Sequence, residues 1–235
     1  MPELLETVPS RALAVYAHPD DPDVSCGGTL AKWASHGTEV HVLVCTNGDK
    51  GTTRRGVDPA ELARTRAGEM ADASKALGLA GHHALGHPDG EIENTPQLRE
   101  QIVRLVRELR PEAVLCPDPT AVIFGEDYLN HRDHRVAGFA VLDALSPAAA
   151  LPNYFPGAGR VHQADVAYLS GTLEPTVWVD VTSTIEKKVK AVVCHRTQVP
   201  DPDWADRVVR IRGEEEGRRV GVTYAEAFRR LRLHV

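Results

Sequence analysis

The sequence has no apolar run near the roughly 20 residues that a bilayer-spanning helix needs, so membrane insertion is not expected. Its four cysteines, Cys26, Cys45, Cys116 and Cys194, are widely spaced and form no CxxC pair. That argues against a disulfide framework and against a thiolate zinc site. Cys45 and Cys116 close apolar runs, where a thiol behaves as a small hydrophobe. An excess of positive charge is also missing: 33 acids face 27 Lys plus Arg, a net charge of −6. A nucleic-acid partner is therefore not expected. The opening stretch MPELLETVPSRALAVYAHPDD lacks a basic n-region and an adequate apolar segment before its acids. The expectation is a cytoplasmic protein. There is no internal repeat and no GxGxxG.

What is present suits a single domain over residues 1–235. Hydrophobic residues make up 42% and charged residues 26%, enough for one substantial core. ALAVYA, EVHVLVCT, a short stretch around 83–85, AVLC, ADVAYLS and TVWVDV read as strands, several of them buried. Helical patterns alternate with them. CGGTLAKWASHG closes at Gly37. Asp58-Pro59-Ala60-Glu61 opens a helix that runs to Leu77, and Thr95-Pro96 opens another with Leu98, Ile102, Leu105, Val106 and Leu109 on its apolar face. Further helices are expected from about Asn130 to Leu145, near 185–195 and from about Tyr224, with the 147–160 stretch a connection. Alternation of this kind predicts an α/β fold: a Rossmann-like three-layer sandwich, a mostly parallel sheet with helices on both faces.

One pattern occurs twice, as AHPDD at 17–21 and GHPDG at 86–90. His18 follows the strand ALAVYA directly, where open parallel sheets gather their ligands, and Asp21 lies three residues on. An imidazole and a carboxylate suit zinc; equally, Pro19 and the acids suit a turn that caps the next helix. NHRDHR at 130–135 shifts the balance toward a site. With Asn130 as N-cap, His131 and His134 share a helical face, and Asp133 falls at N3, a capping-box position. The second HPD copy has Gly90 where the first has Asp21, and GHPDG reads as a solvent loop from which Asp89 still reaches a bound ligand.

AHPDD, CGGTLAKW, TNGDKG, RAGE, LGHPDG and NHRDHRVAG, in this order over most of 12–140, resemble the LmbE-like (PIG-L) family of zinc-dependent de-N-acetylases. Weaker similarity continues through KKVKAVVCHRTQ and YAEAFRRL. The resemblance implies that His18, Asp21 and His134 ligate Zn2+ or another divalent transition metal, with Asp20 as general base. It implies that His131 stabilises an oxyanion or protonates the leaving amine, with Asp133 behind it. Asp49, Arg66 and Asp89 match positions that contact the sugar or hold the pocket. Two departures stand out: Pro22, then Asp23, where the family commonly has Glu, and Arg132 where many members have Pro.

The expected function is a zinc hydrolase that removes an N-acetyl or related N-acyl group from a small amino-sugar compound. The chain could act alone or as a homo-oligomer. Alternatives are an amidase acting on thiol conjugates, a zinc phosphoesterase, or a non-catalytic Rossmann-like module with CGGT as a phosphate loop. Ser25 and Cys26 have no evident triad. His41, His82, His83, His87, His162 and His234 are expected at the surface or in packing, and Trp178 in the core. His195 and Gln198 are further candidates for the pocket wall.

Overall fold

The chain alternates β and α from residue 11 to residue 117, and a computed structural model describes residues 3–234. The strands are β1 (Glu3–Leu4), β2 (Arg11–Tyr16), β3 (Glu39–Thr46), β4 (Gly81–His87), β5 (Ala113–Pro117), β6 (Ile123–Phe124), β7 (Tyr128–Leu129), β8 (Val166–Ser170), β9 (Val177–Asp180) and β10 (Ala225–Arg232). The helices are α1 (Asp21–Ser35), α2 (Pro59–Leu77), α3 (Pro96–Leu109), α4 (Arg132–Asp143), α5 (Ile185–Cys194) and α6 (Pro202–Val220), with a π-helical turn at Ala144–Ala149. Eight strands form one sheet in the order β1-β9-β10-β8-β5-β2-β3-β4, and β6 and β7 form a separate hairpin. The fold is the expected α/β sandwich.

Alternation along β2 explains the layering. Leu13, Val15 and Ala17 face a core shared with α3 and α4, while Ala12, Ala14 and Tyr16 face one shared with α1, α2 and α5. Strands β4, β3, β2, β5 and β8 run parallel, and β10 is antiparallel to both β8 and β9. From β2 the chain moves outward through β3 and β4, then returns to place β5 on the other side of β2. That reversal opens a crevice at the carboxyl ends of β2 and β5, the usual ligand position in such sheets.

Local signals hold at several helix ends. Asp58 accepts from the Ala60 amide, Thr95 from the Leu98 amide, and Gly78 closes α2 in the left-handed region at φ +80. The C-terminal expectation is corrected: Ala225–Arg232 is a strand, not a helix. Its residues are good helix formers, but hydrogen bonding to β8 and β9 on its two sides outweighs propensity. Helix α6, absent from the sequence reading, is capped by Asp201 and packs through the small stripe Ala205, Val209, Gly213 and Gly217. A Cβ on Gly217 would meet the Val222 carbonyl oxygen at 2.5 Å, so glycine there lets the helix lie directly on the turn into β10.

Candidate metal site

His18 is placed by the end of β2, and the AHPDD turn folds back on it. Asp21 Oδ2 accepts from the His18 amide at 2.8 Å and lies 3.2 Å from His18 Nδ1. Pro22 and the two acids beside it begin α1, where proline needs no amide donor. From the other side of the crevice, α4 brings His134. Its Nε2 is 3.1 Å from Asp21 Oδ1 and 3.2 Å from His18 Nδ1. The N-cap of α4 is His131 rather than Asn130: its Nδ1 accepts from the Asp133 amide at 3.2 Å.

The second contacts of each imidazole decide what these three groups can do. His134 Nδ1 is 3.0 Å from Asn130 Oδ1, and the orientation of that amide is fixed because Asn130 Nδ2 donates to the Ala121 carbonyl. His18 Nε2 is 3.0 Å from Asp89 Oδ1. Both outer partners are acceptors, so the outer ring nitrogens carry the protons, and Nδ1 of His18 and Nε2 of His134 turn lone pairs inward. Two lone pairs and a carboxylate at 3.1–3.2 Å repel one another unless a proton or cation lies among them. Tetrahedral zinc with bonds of about 2.0–2.1 Å spaces its nitrogen and oxygen ligands by about 3.3 Å, so this donor set fits it.

In the protein alone, protons supply that charge. Burial pulls the His18 imidazole down, but the Asp21 charge and hydrogen bonds with Asp133, Asp21 and Asp89 push it up to about 12. Against the upward pull of burial, the charges of His134 and His18 hold Asp21 well below the usual carboxylate range. Metal binding here must release protons.

The remaining acids surround this triad. Asp20 Oδ1 accepts from Arg66 Nη2 at 2.7 Å, and Arg66, only 2% exposed, also donates to the Gly48 carbonyl. A Cβ on Gly48 would lie 2.4 Å from the guanidinium, so the glycines of TNGDKG make room for it. Arg66 therefore meets the site through Asp20 and, at 4.0 Å, Asp89, instead of through an open face. Asp49 accepts from the Asp89 amide, and Lys50 donates to its carbonyl. GHPDG is exposed at Gly86, Pro88 and Gly90, as a solvent loop would be, yet two side chains hold it so that buried Asp89 backs His18. The signal was the repeated HPD itself, at two strand ends that the sheet brings together. Asp133, fully buried, accepts from the Gly90 amide and lies 3.7 Å from His18 Nε2. Arg132 donates to the Ile92 carbonyl and secures the same loop.

His131 lies beside the triad, its ring centroid 4.8 Å from that of His18. Its Nδ1 is committed to the α4 cap, which leaves Nε2 as the donor. Burial first, then the charges of His18 and His134, hold its pKa below the usual imidazole value. Among the described residues, His18, His131 and His134 form one group able to hold a metal, and His18, Asp89 and Asp133 another.

Other candidates fall elsewhere. His195 is completely buried and bonds Asp23 Oδ2 at 2.7 Å, so Asp23 answers a histidine and not the site. Gln198, by contrast, lines the same cleft as Asp20, Asp21 and His134. Trp178 is core, donating to Glu216. The CGGT amides are not a phosphate loop: the Glu226 carboxylate accepts from the Gly28 and Thr29 amides and is paired with Lys188.

The PIG-L model, described as GlcNAc-PI de-N-acetylase, matches residues 13–145. The chain belongs to that family. Beyond the matched span, similarity to other PIG-L-type proteins extends over almost the whole chain. The diacetylchitobiose deacetylase of Thermococcus kodakarensis is 35% identical over 225 residues, 93% of this chain and 82% of that one. A 1D-myo-inositol 2-acetamido-2-deoxy-alpha-D-glucopyranoside deacetylase of Saccharopolyspora erythraea is 30% identical, covering 81% of this chain and 74% of its own. The solved N,N'-diacetylchitobiose deacetylase from Pyrococcus horikoshii, complexed with its inhibitor MPG, superposes with a TM-score of 0.87 at 29% identity. That match covers 95% of this chain and 84% of the other.

Proposed function

We propose that this PIG-L protein is a zinc hydrolase that removes the N-acetyl group of an amino sugar. One observation carries the reading: His18, Asp21 and His134 turn three lone-pair donors onto a single point, with both imidazole tautomers set from behind by Asp89 and Asn130. The named deacetylases among its relatives supply the acetamido-sugar chemistry. In our reading His18, Asp21 and His134 hold the ion. Bound there, a divalent ion supplies a Lewis acid and an acidified water at neutral pH.

The chain's own residues do the proton work. Asp20, held by Arg66 through one oxygen, offers the other as the base that takes a proton from the attacking water. His131, its Nδ1 engaged by the backbone, presents Nε2–H to the developing oxyanion or to the leaving nitrogen. Asp133 and Asp89 keep His18 oriented. The amide nitrogen needs a proton before it leaves, and Asp20, returning the one it took from water, delivers it. Asp49 belongs to the frame that sets Asp89. No helix among the described residues is long and apolar enough to cross a membrane.

The test pairs metal analysis with amine release from N-acetylglucosaminyl compounds, with and without chelator. His134→Ala should empty the site and abolish turnover. His131→Ala should keep the metal and lower kcat by about 10²–10³-fold. Asp20→Asn should keep the metal and lose about 10²–10⁴ in rate. Retention of metal in both His18→Ala and His134→Ala would sink the ligand assignment.

A further inference from the structure

The family model matches residues 13–145, and every group that the proposed deacetylation uses stands inside that span. Well beyond it, the turn His195-Arg196-Thr197-Gln198 reaches back with three side chains. His195 Nε2 bonds Asp23 Oδ2 at 2.7 Å, in the first turn of α1. Thr197 donates twice to Glu69 of α2, from its amide at 2.8 Å and from its hydroxyl at 2.6 Å. Gln198 Nε2 donates to the Gly51 carbonyl at 2.8 Å. The turn is itself fixed, since the Gln198 and Val199 amides both donate to the His195 carbonyl.

Each anchor of the turn stands one helical turn from a member of the Asp20–Arg66 pair. Asp23 follows Asp20 by three residues, and Glu69 follows Arg66 by three. The contacts therefore close a ring. It runs from Asp20 to Arg66 at 2.7 Å, along α2 to Glu69, across to Thr197, through the turn to His195, and by Asp23 back along α1. Gly51 is pinned between the two sides: a Cβ there would lie 2.4 Å from Arg66 Nη1 and 3.2 Å from Gln198 Oε1. Asp23, Glu69 and His195 are all buried, and a buried carboxylate stripped of its donors is costly, so the ring holds firmly.

We infer that His195 and Thr197 are positioning residues for the proposed base: through Asp23 and Glu69 they fix the gap between α1 and α2 across which Arg66 aims Asp20. The inference rests on the proposed role of Asp20 as base. Because these residues act through Arg66, their loss is felt in kcat. A misdirected base costs rate and leaves the metal and the substrate bound as before. A clip that served the fold alone would cost stability and leave kcat unchanged.

The experiment measures metal content and amine release from N-acetylglucosamine and N,N'-diacetylchitobiose by zinc-loaded variants. Glu69→Ala should keep the metal and KM and lower kcat about tenfold. Glu69→Gln, whose side chain still accepts from the Thr197 amide and donates to its hydroxyl, should restore most of that loss. Thr197→Val, short of one donor, should fall in between, and it carries the test if Glu69→Ala does not fold. Asp58→Ala removes the α2 cap at a place outside the ring, so it should lower the melting temperature and leave kcat unchanged. In an Arg66→Lys background Glu69→Ala should cost little more, because the two act through one contact. Wild-type kcat in both Glu69→Ala and Thr197→Val, an equal loss in Asp58→Ala, or full additivity with Arg66→Lys overturns the proposal. Arg66 also gives a readout free of turnover. Its Nε–H is buried, without a hydrogen-bond partner among the described residues, and nitrogen-15 NMR should show it exchanging with solvent about tenfold faster in Glu69→Ala than in wild type. If wild type releases amine from neither sugar, the deacetylase reading fails, and this exchange decides the ring by itself: faster exchange supports it, and an unchanged rate overturns it.

Discussion

Arg66 holds Asp20 by a 2.7 Å hydrogen bond from a guanidinium that is itself almost fully enclosed. The proposed base is thus aimed by a cation from α2, a helix that contributes no metal ligand. Arg66→Lys should keep the metal and lower kcat by about 10²-fold, because a misdirected base costs about that much even when it remains present. KM should barely move. Metal analysis and steady-state kinetics check this; a change confined to KM would place Arg66 on the substrate instead.

Asp89 and Asn130 fix the two imidazoles from behind, and their loss should appear as weaker metal binding before it appears as lost chemistry. Asp89→Ala and Asn130→Ala should each weaken zinc affinity by about 10–100-fold, the usual effect of removing an outer partner of a ligating histidine. Competition against a chelating dye measures it directly. Unaltered affinity in both variants would mean that packing alone orients His18 and His134.

Arg107 is a buried cation with no carboxylate partner among the described residues. Its guanidinium donates to the carbonyls of Ala148, Ala149, Leu151, Tyr154 and Phe155, and so gathers the π-helical turn and the loop after it. Arg107→Met leaves those carbonyls without donors and should cost about 3 kcal/mol of stability in urea unfolding. The proposed metal ligands lie elsewhere, so metal stoichiometry of the folded fraction should stay at wild-type level.

His83 supplies a pH dependence away from the site. Burial, and then the adjacent His41, hold its imidazole below the usual value. Its folded pKa is thus lower than its unfolded pKa of about 6.5. The neutral form is the one the fold accommodates. Its contribution is fully present above that unfolded value and is lost as pH falls through the folded one. Thermal midpoints between pH 7.5 and 5 should therefore fall less steeply in His83→Gln than in wild type. Parallel slopes would assign the acid sensitivity to other groups.

How much of this was legible in the sequence depends on how local each cause is. Caps at Asp58 and Thr95, and the closing Gly78, act within a few residues, and α2 and α3 begin where those residues stand. The fold class followed from strand–helix alternation, and the residues that converge as a triad stand in AHPDD and NHRDH. The C-terminal strand could not be read this way, since β10 owes its form to β8 and β9, which its own helix-forming residues do not foretell. Helix α6 was hidden by Gly213 and Gly217, which weaken a helical pattern but serve its close approach to β10. The role of Arg66 likewise depends on space left by Gly48 and Gly51, a relation between segments that no single motif states.

Glu226 ties the order of synthesis to the order of assembly. Its carboxylate reaches back 198 residues to the Gly28 amide and 197 to that of Thr29, inside the helix that the AHPDD turn begins. On a ribosome, His18 and Asp21 emerge early, and His134 follows while Glu226 is still uncoded in the growing chain. Until β10 is made, the Gly28 and Thr29 amides and Lys188 have no carboxylate to meet. The segment written first is thus among the last to be locked, and a nascent chain can present the proposed metal ligands long before the helix beside them is held in place.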